Sequence, residues 1–137
     1  MTRMEKYVQR LFMMASDNDH VGNSRVAAAI LFRNKIVSYG FNKQRTHPLQ
    51  KRFRKNTEAI YLHAEIDAIK NSLRRITIDD LSNSTLLIVR SKFDSDGNMT
   101  MGLAKPCCGC AKCIVHFNIK RVLYTDDEGN IRGLTRK

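Results

Sequence analysis

The sequence predicts an α/β protein, with a sheet flanked by helices in either three layers or two. Two observations predict it. Short apolar runs of strand length alternate with segments whose apolar residues recur at helical spacing. Only one pair of strand runs is joined by a brief turn, and the later ones are separated by helical segments. The first arrangement makes an antiparallel hairpin, and the second makes parallel strands with right-handed crossovers. The chain of 137 residues is the size of one domain with one core. No internal repeat or boundary divides it, so residues 1–137 are expected to form a single domain.

The elements follow in order. Residues 2–15 read as a helix: Thr2 and Glu5 have the spacing of a capping box, and Met4, Tyr7, Val8, Leu11, Phe12 and Ala15 recur on one face. Met4, Met13 and Met14 are expected to fill core. Ser16 to Asp19 stops the helix. Val26–Phe32 and Ile36–Phe41 are strands around an Arg33-Asn34-Lys35 turn. Residues 42–56 read as a loop with the densest positive charge in the chain, holding Lys43, Arg45, His47, Lys51, Arg52, Arg54 and Lys55. Leu62, Ile66, Ile69 and Leu73 mark a helix with one buried face. It starts either near Leu62 or, capped by Asn56-Thr57, earlier. Asp79–Ser84 is a turn-rich connection, and Thr85–Val89 a third strand. Ser91–Lys105 reads as a long loop. Within it, Asp94-Ser95-Asp96-Gly97-Asn98 lacks the spacing and closing acidic residue of a calcium loop, so it reads as a turn. A helix runs from the cysteines to about Phe117, Arg121–Tyr124 is a fourth strand, and Asp126–Asn130 is a turn. The basic tail after it carries no pattern.

Composition narrows the function classes. With 42% hydrophobic and 27% charged residues, the chain has the balance of a globular protein. No apolar run approaches membrane-spanning length, and the first residues lack the apolar stretch of a signal peptide. A cytoplasmic location is therefore expected. The 24 Lys and Arg against 13 Asp and Glu give a formal charge of +11, which attracts anions, whether nucleotides or nucleic acid.

All four cysteines fall between Cys107 and Cys113. Such density, with no sign of export, points to metal or redox chemistry before disulfides. Cys107 and Cys110 are three apart, so at a helix start they point to one side. Pro106 suits that position, and the positive end of the helix dipole favours thiolates. With His63 as a third ligand they make a catalytic zinc set, which keeps a fourth position for water. The alternatives are a structural zinc knuckle, plain buried thiols, or Cys113 as a ligand in place of His63. Glu65 is the natural proton carrier beside such a water. Residues two apart do not share a face of a regular helix, so His63 must stand in or before the first turn. That favours the start near Leu62.

His63-Ala64-Glu65 with Pro106-Cys107-Cys108-Gly109-Cys110 resembles the H-x-E…P-C-x-x-C signature of the zinc-dependent cytidine deaminase superfamily. His63 to Ile69 resembles the H-A-E-x-N-A-I of deoxycytidylate deaminases, with Asp67 where Asn is usual. Cys110-Ala111-Lys112 with Ile114 resembles their C-A-K-x-I, Gly40-Phe41-Asn42 their G-Y-N, and Val26-Ala27-Ala28 their V-G-A. The likeness covers roughly residues 24–125. It departs at Lys43, where Gly is usual, and in the length of the stretch before the Pro-Cys motif. Lys105 also stands where tRNA adenosine deaminases carry Glu.

The resemblance implies a cytidine deaminase-like fold, a mixed sheet flanked by helices in an α/β/α sandwich. It implies Zn2+ on His63, Cys107 and Cys110, and zinc-bound hydroxide attacking a cytosine-type base with Glu65 as proton shuttle. Asn42, Ala28, Ala64 and Pro106 are then substrate contacts. The charge of the 43–55 loop, apart from the resemblance, makes Arg45, Arg52 and Arg54 candidates for holding a phosphate and His47 a candidate substrate contact. The expected reaction is dCMP to dUMP. Deamination of a nucleoside, or of an unpaired base in RNA or DNA, stands as the alternative, and a non-catalytic zinc module as a third. A homo-oligomer is expected by the same likeness.

Overall fold

The computed structural model describes residues 1–18, 25–43 and 63–134. His47, Arg45, Arg52 and Arg54 lie outside the described residues, as does Leu62. The described elements are α1 (Arg3–Ser16), β1 (Arg25–Phe32), β2 (Lys35–Phe41), α2 (Ala64–Ser72), α3 (Ile78–Ser82), β3 (Thr85–Phe93), β4 (Met99–Gly102), α4 (Cys108–His116), β5 (Arg121–Thr125) and β6 (Ile131–Gly133).

The strands form one mixed sheet in the order β2-β1-β3-β5-β6, with β4 paired to β3. β1 is antiparallel to both β2 and β3, and β3 is parallel to β5. So β2, β3 and β5 run the same way, as expected for strands connected through helices. The β1–β2 hairpin turns at Arg33 and Asn34, both at positive φ (54° and 66°), the conformation that matches the twist of the flanking strands.

Alternation along the central strands divides the interior. Ala28 and Ile30 of β1, with Leu86 and Ile88 of β3, face α2 and α4. Ala27, Ala29 and Leu31, with Leu87 and Val89, face α1. The result is an α/β/α sandwich with a core on each side of the sheet. α1 is held at its start by the Thr2 hydroxyl, which accepts from the Glu5 amide at 3.1 Å, and it buries Val8, Leu11 and Ala15. Met13 corrects the expectation for the methionines: it is 65% exposed, on the outer face of α1.

Three other segments differ from the sequence reading. Asp79–Ser84 holds a short helix, because Thr77 and Asp80 close a reciprocal capping box. Residues 91–105 are not a loop throughout: β3 continues to Phe93, and β4 returns antiparallel beside it. The turn between them is the expected one, with the Asp94 carboxylate accepting from the amides of Asp96 and Asn98. The tail contributes β6, paired to β5 beyond the 126–130 turn.

The placement of α2 depends on Gly40. A Cβ there would lie 2.2 Å from both the Ala64 carbonyl oxygen and the Ala68 nitrogen. Only a residue without a side chain lets the helix sit directly on β2. The Ser38 hydroxyl then donates to the Ala68 carbonyl at 2.8 Å, and the Asn71 amide to the Tyr39 carbonyl at 2.8 Å.

Candidate active site

Two helix starts meet at the site. His63 caps α2 with extended backbone (φ −84°, ψ 153°), and Cys107 caps α4 likewise (φ −70°, ψ 171°). This resolves the spacing of His63 and Glu65. The histidine stands before the helix, so the two need not be a turn apart to face one place. At the other helix the Cys107 sulfur accepts from the Cys110 amide at 3.4 Å, in the manner of a capping hydroxyl.

His63 Nδ1 is 3.2 Å from the Cys110 sulfur and 3.4 Å from the Cys107 sulfur. The three donor atoms all lie within 4.8 Å of one another. Nitrogen and sulfur donors on a tetrahedral zinc stand about 3.5–3.8 Å apart. One imidazole and two thiols at this spacing therefore fit zinc, and three protein donors are the complement of a catalytic site. Cys113 lies outside the group, buried in the core beside Ile114 and Phe117.

The electrostatics match. The Cys107 thiol is lowered to about 3, chiefly by its hydrogen bond from the Cys110 thiol, with His63 and the Cys110 amide adding to it. Cys110 is pushed up by the same bond and by burial. His63 is raised, mainly by its hydrogen bond to Cys107. Glu65 is only 6% exposed, and burial pushes its carboxyl above the usual range. A carboxyl held toward its neutral form can both take and return a proton.

A cavity of about 240 Å³ opens on these groups. His63, Ala64, Glu65, Cys107 and Asn42 line it, five of the residues the sequence singled out. Asn42 is fixed there because its side-chain oxygen accepts from the Val26 amide at 2.9 Å. Ala28 is not among the lining residues. It is fully buried in the core, and Val26, two residues earlier on the same face of β1, forms the wall instead. Pro106 is half-buried and also outside the lining. Arg90, Leu103, Ala104 and Lys105 also line it. Arg90 was not singled out by the sequence reading. The signal available was a break in pattern: Leu86 and Ile88 alternate onto the core face, and Arg90 is next on that face.

The sequence matches the cytidine and deoxycytidylate deaminase zinc-binding region across residues 1–126. The chain belongs to that family. No curated protein sequence matches it. Among solved structures, this deaminase fold resembles a cytidine deaminase from Burkholderia pseudomallei, with TM-score 0.61 and 16% identity over 98% of this chain and 93% of that one. It also resembles a dCMP deaminase from the cyanophage S-TIM5, solved in complex with dCMP and dUMP. There the TM-score is 0.55 and the identity 21% over 90% of this chain and 80% of that one. In its apo form the same phage enzyme gives TM-score 0.51 at 23% identity, over 88% and 83% of the two chains. The protein is thus a zinc-dependent deaminase by family, a hydrolase of C–N bonds.

Proposed function

We propose that the chain hydrolyses the exocyclic amine of a cytosine-type nucleotide, with dCMP giving dUMP and ammonia. The observation that carries this reading is the donor cluster of His63, Cys107 and Cys110 beside the buried Glu65, with His63, Cys107, Glu65 and Asn42 lining one cavity. The likeness to a phage enzyme solved with dCMP and dUMP supports the choice of substrate.

His63, Cys107 and Cys110 would hold the zinc, which when bound makes water a nucleophile near neutral pH. Glu65 takes a proton from the attacking water and delivers it to the ring nitrogen. It then carries the second proton to the departing amine, so that a C–N bond is broken and a C=O bond replaces it. Its buried position keeps the proton from exchanging with bulk solvent during transfer. Ala64 and Asn42 orient base and sugar.

The thiol ligands fit a reducing compartment such as the cytoplasm, and we infer a homo-oligomer from the same likeness. Incubation with a panel of cytosine nucleosides and nucleotides tests the substrate. Turnover of dCMP is expected, and turnover of free nucleosides alone would exclude the nucleotide reading. The +11 charge favours one rival, an unpaired base in a nucleic acid. Steep salt dependence of oligonucleotide binding would support it, and no binding at low salt would remove it.

A further inference from the structure

We propose that Arg90 and Lys105 form the phosphate-holding side of the active-site cavity and make the enzyme selective for a nucleoside monophosphate over the nucleoside. This rests on the nucleotide reading given above.

Arg90 lies on β3, paired with Val26 on one side and with Gly102 of β4 on the other. Strand alternation turns it to the face of Leu86 and Ile88, the face that also carries Cys110 and Glu65's helix. A cationic side chain at a core-facing position needs a reason. Its Nε is buried and meets no hydrogen-bond partner among the described residues. Its Nη1 reaches the Leu103 carbonyl only at 3.5 Å, the outer limit of a hydrogen bond. A buried charged donor left unsatisfied is costly, so the position is built for an acceptor that arrives with the substrate.

Among the described residues, no carboxylate supplies that acceptor. Asp127 feels the charge of Arg90, but it is the smallest influence on that carboxylate. The same carboxylate holds the Lys92 ammonium at 3.0 Å and the Leu103 amide at 3.1 Å. No described ion pair includes Arg90. Lys105 stands exposed on the same wall and adds a second positive charge to a cavity whose one carboxylate among the described residues is Glu65. A neutral nucleoside has no use for two cations, whereas a phosphate matches the planar fork of a guanidinium and the point charge of an ammonium.

The hairpin that lengthens the stretch before the Pro-Cys motif gives this arrangement its frame. An ideal Cβ at Gly102 would come within 3.2 Å of Arg90 Cδ and 3.3 Å of its Cγ. The glycine lets the arginine stem lie close across β4. The extra length is therefore a paired strand that shapes the arginine's path into the cavity.

The test is the ratio of kcat/KM for dCMP to that for deoxycytidine. In the wild-type protein the ratio favours dCMP. In Arg90→Gln it falls by about tenfold or more, the worth of a charge-assisted hydrogen bond to phosphate, and Arg90→Lys recovers part of it. A ratio in Arg90→Gln within about twofold of wild type overturns the proposal, as does an equal loss on both substrates, which would mean that Arg90 reads the base. Should Arg90→Gln fail to fold, as circular dichroism would reveal, Lys105→Ala at its exposed position carries the test, and an unchanged ratio there overturns the pair. Wild-type protein that deaminates deoxycytidine and no monophosphate defeats the nucleotide reading itself. Preference for dCMP that survives Arg90→Gln defeats only the assignment of Arg90. Turnover of a single-stranded oligonucleotide in preference to dCMP would give the phosphate to a polymer, and also overturns the proposal.

Discussion

Lys43 and Asp67 are ion-paired at 3.2 Å, and they are two positions at which the sequence departs from the deoxycytidylate deaminase pattern it otherwise resembles. Asp67 is buried on α2. Its carboxylate also holds Lys70 at 3.1 Å and accepts from the Phe41 amide at 3.0 Å. The pair ties the residue after Asn42 to the helix that presents His63 and Glu65. Where the pattern has Gly and Asn, this chain has a matched cation and anion.

Asp67→Asn should cost about 1.5–3 kcal/mol in urea unfolding, because both lysines lose their partner while the Phe41 amide keeps an acceptor. Lys43→Ala added to it should cost less than the two single losses together, with a coupling of about 1 kcal/mol. Strict additivity would show that the two side chains do not act as a pair.

Gly40→Ala should be far more damaging than its size implies. The new methyl would stand 2.2 Å from backbone atoms of α2, so the helix must move away from β2. A loss upwards of about 3 kcal/mol is expected, with reduced zinc content as His63 shifts with its helix. Thermal unfolding and metal analysis on the same sample check both.

Asp126 sets an acid limit on stability. It is buried, and burial alone would raise its pKa. Hydrogen bonds from the Asn130 amide, from Arg132 at 2.6 Å and from the Glu128 amide more than offset this, so the carboxyl is lowered. A folded pKa below the unfolded value of about 3.9 means that the contribution is present above that pH and is lost as pH falls through the folded value. Asp126→Asn should therefore flatten the fall in stability below about pH 4. An unchanged acid limb in urea unfolding would contradict the assignment.

What the sequence could convey depended on how local the cause was. The β1–β2 hairpin was legible because Arg33 and Asn34 lie between two apolar runs. That His63 stands in or before the first turn of its helix, and Cys107 at a helix start, followed from motif spacing and from the constraint that residues two apart cannot share a helix face; that both are the cap residues needed the fold. β4 carries little strand signal in the sequence, because Met99–Gly102 is short, mostly half-buried and follows a stretch of Asp, Ser and Gly. β6 was missed because all three of its residues are exposed, so no apolar alternation marks it. Arg90 and the Lys43–Asp67 pair needed the fold itself, since strand pairing and helix docking bring together residues distant in the chain. On one face of β1, Val26 reaches the cavity and Ala28, two residues on, is already under α2 in the core.

The cysteines separate by role. Cys110→Ala should lose zinc, as it removes one of three donors. Cys113→Ala should retain zinc and lose only about 1 kcal/mol of stability through lost packing. Equal zinc loss in both variants would bring Cys113 into the ligand set.

The most direct test of the account is Glu65→Gln, with zinc content and dCMP turnover measured on the same preparation. The substitution keeps the size of the buried side chain and removes its ability to carry a proton. Turnover should fall by about 10²–10⁴-fold with zinc at the wild-type level. Full activity in that variant would contradict it.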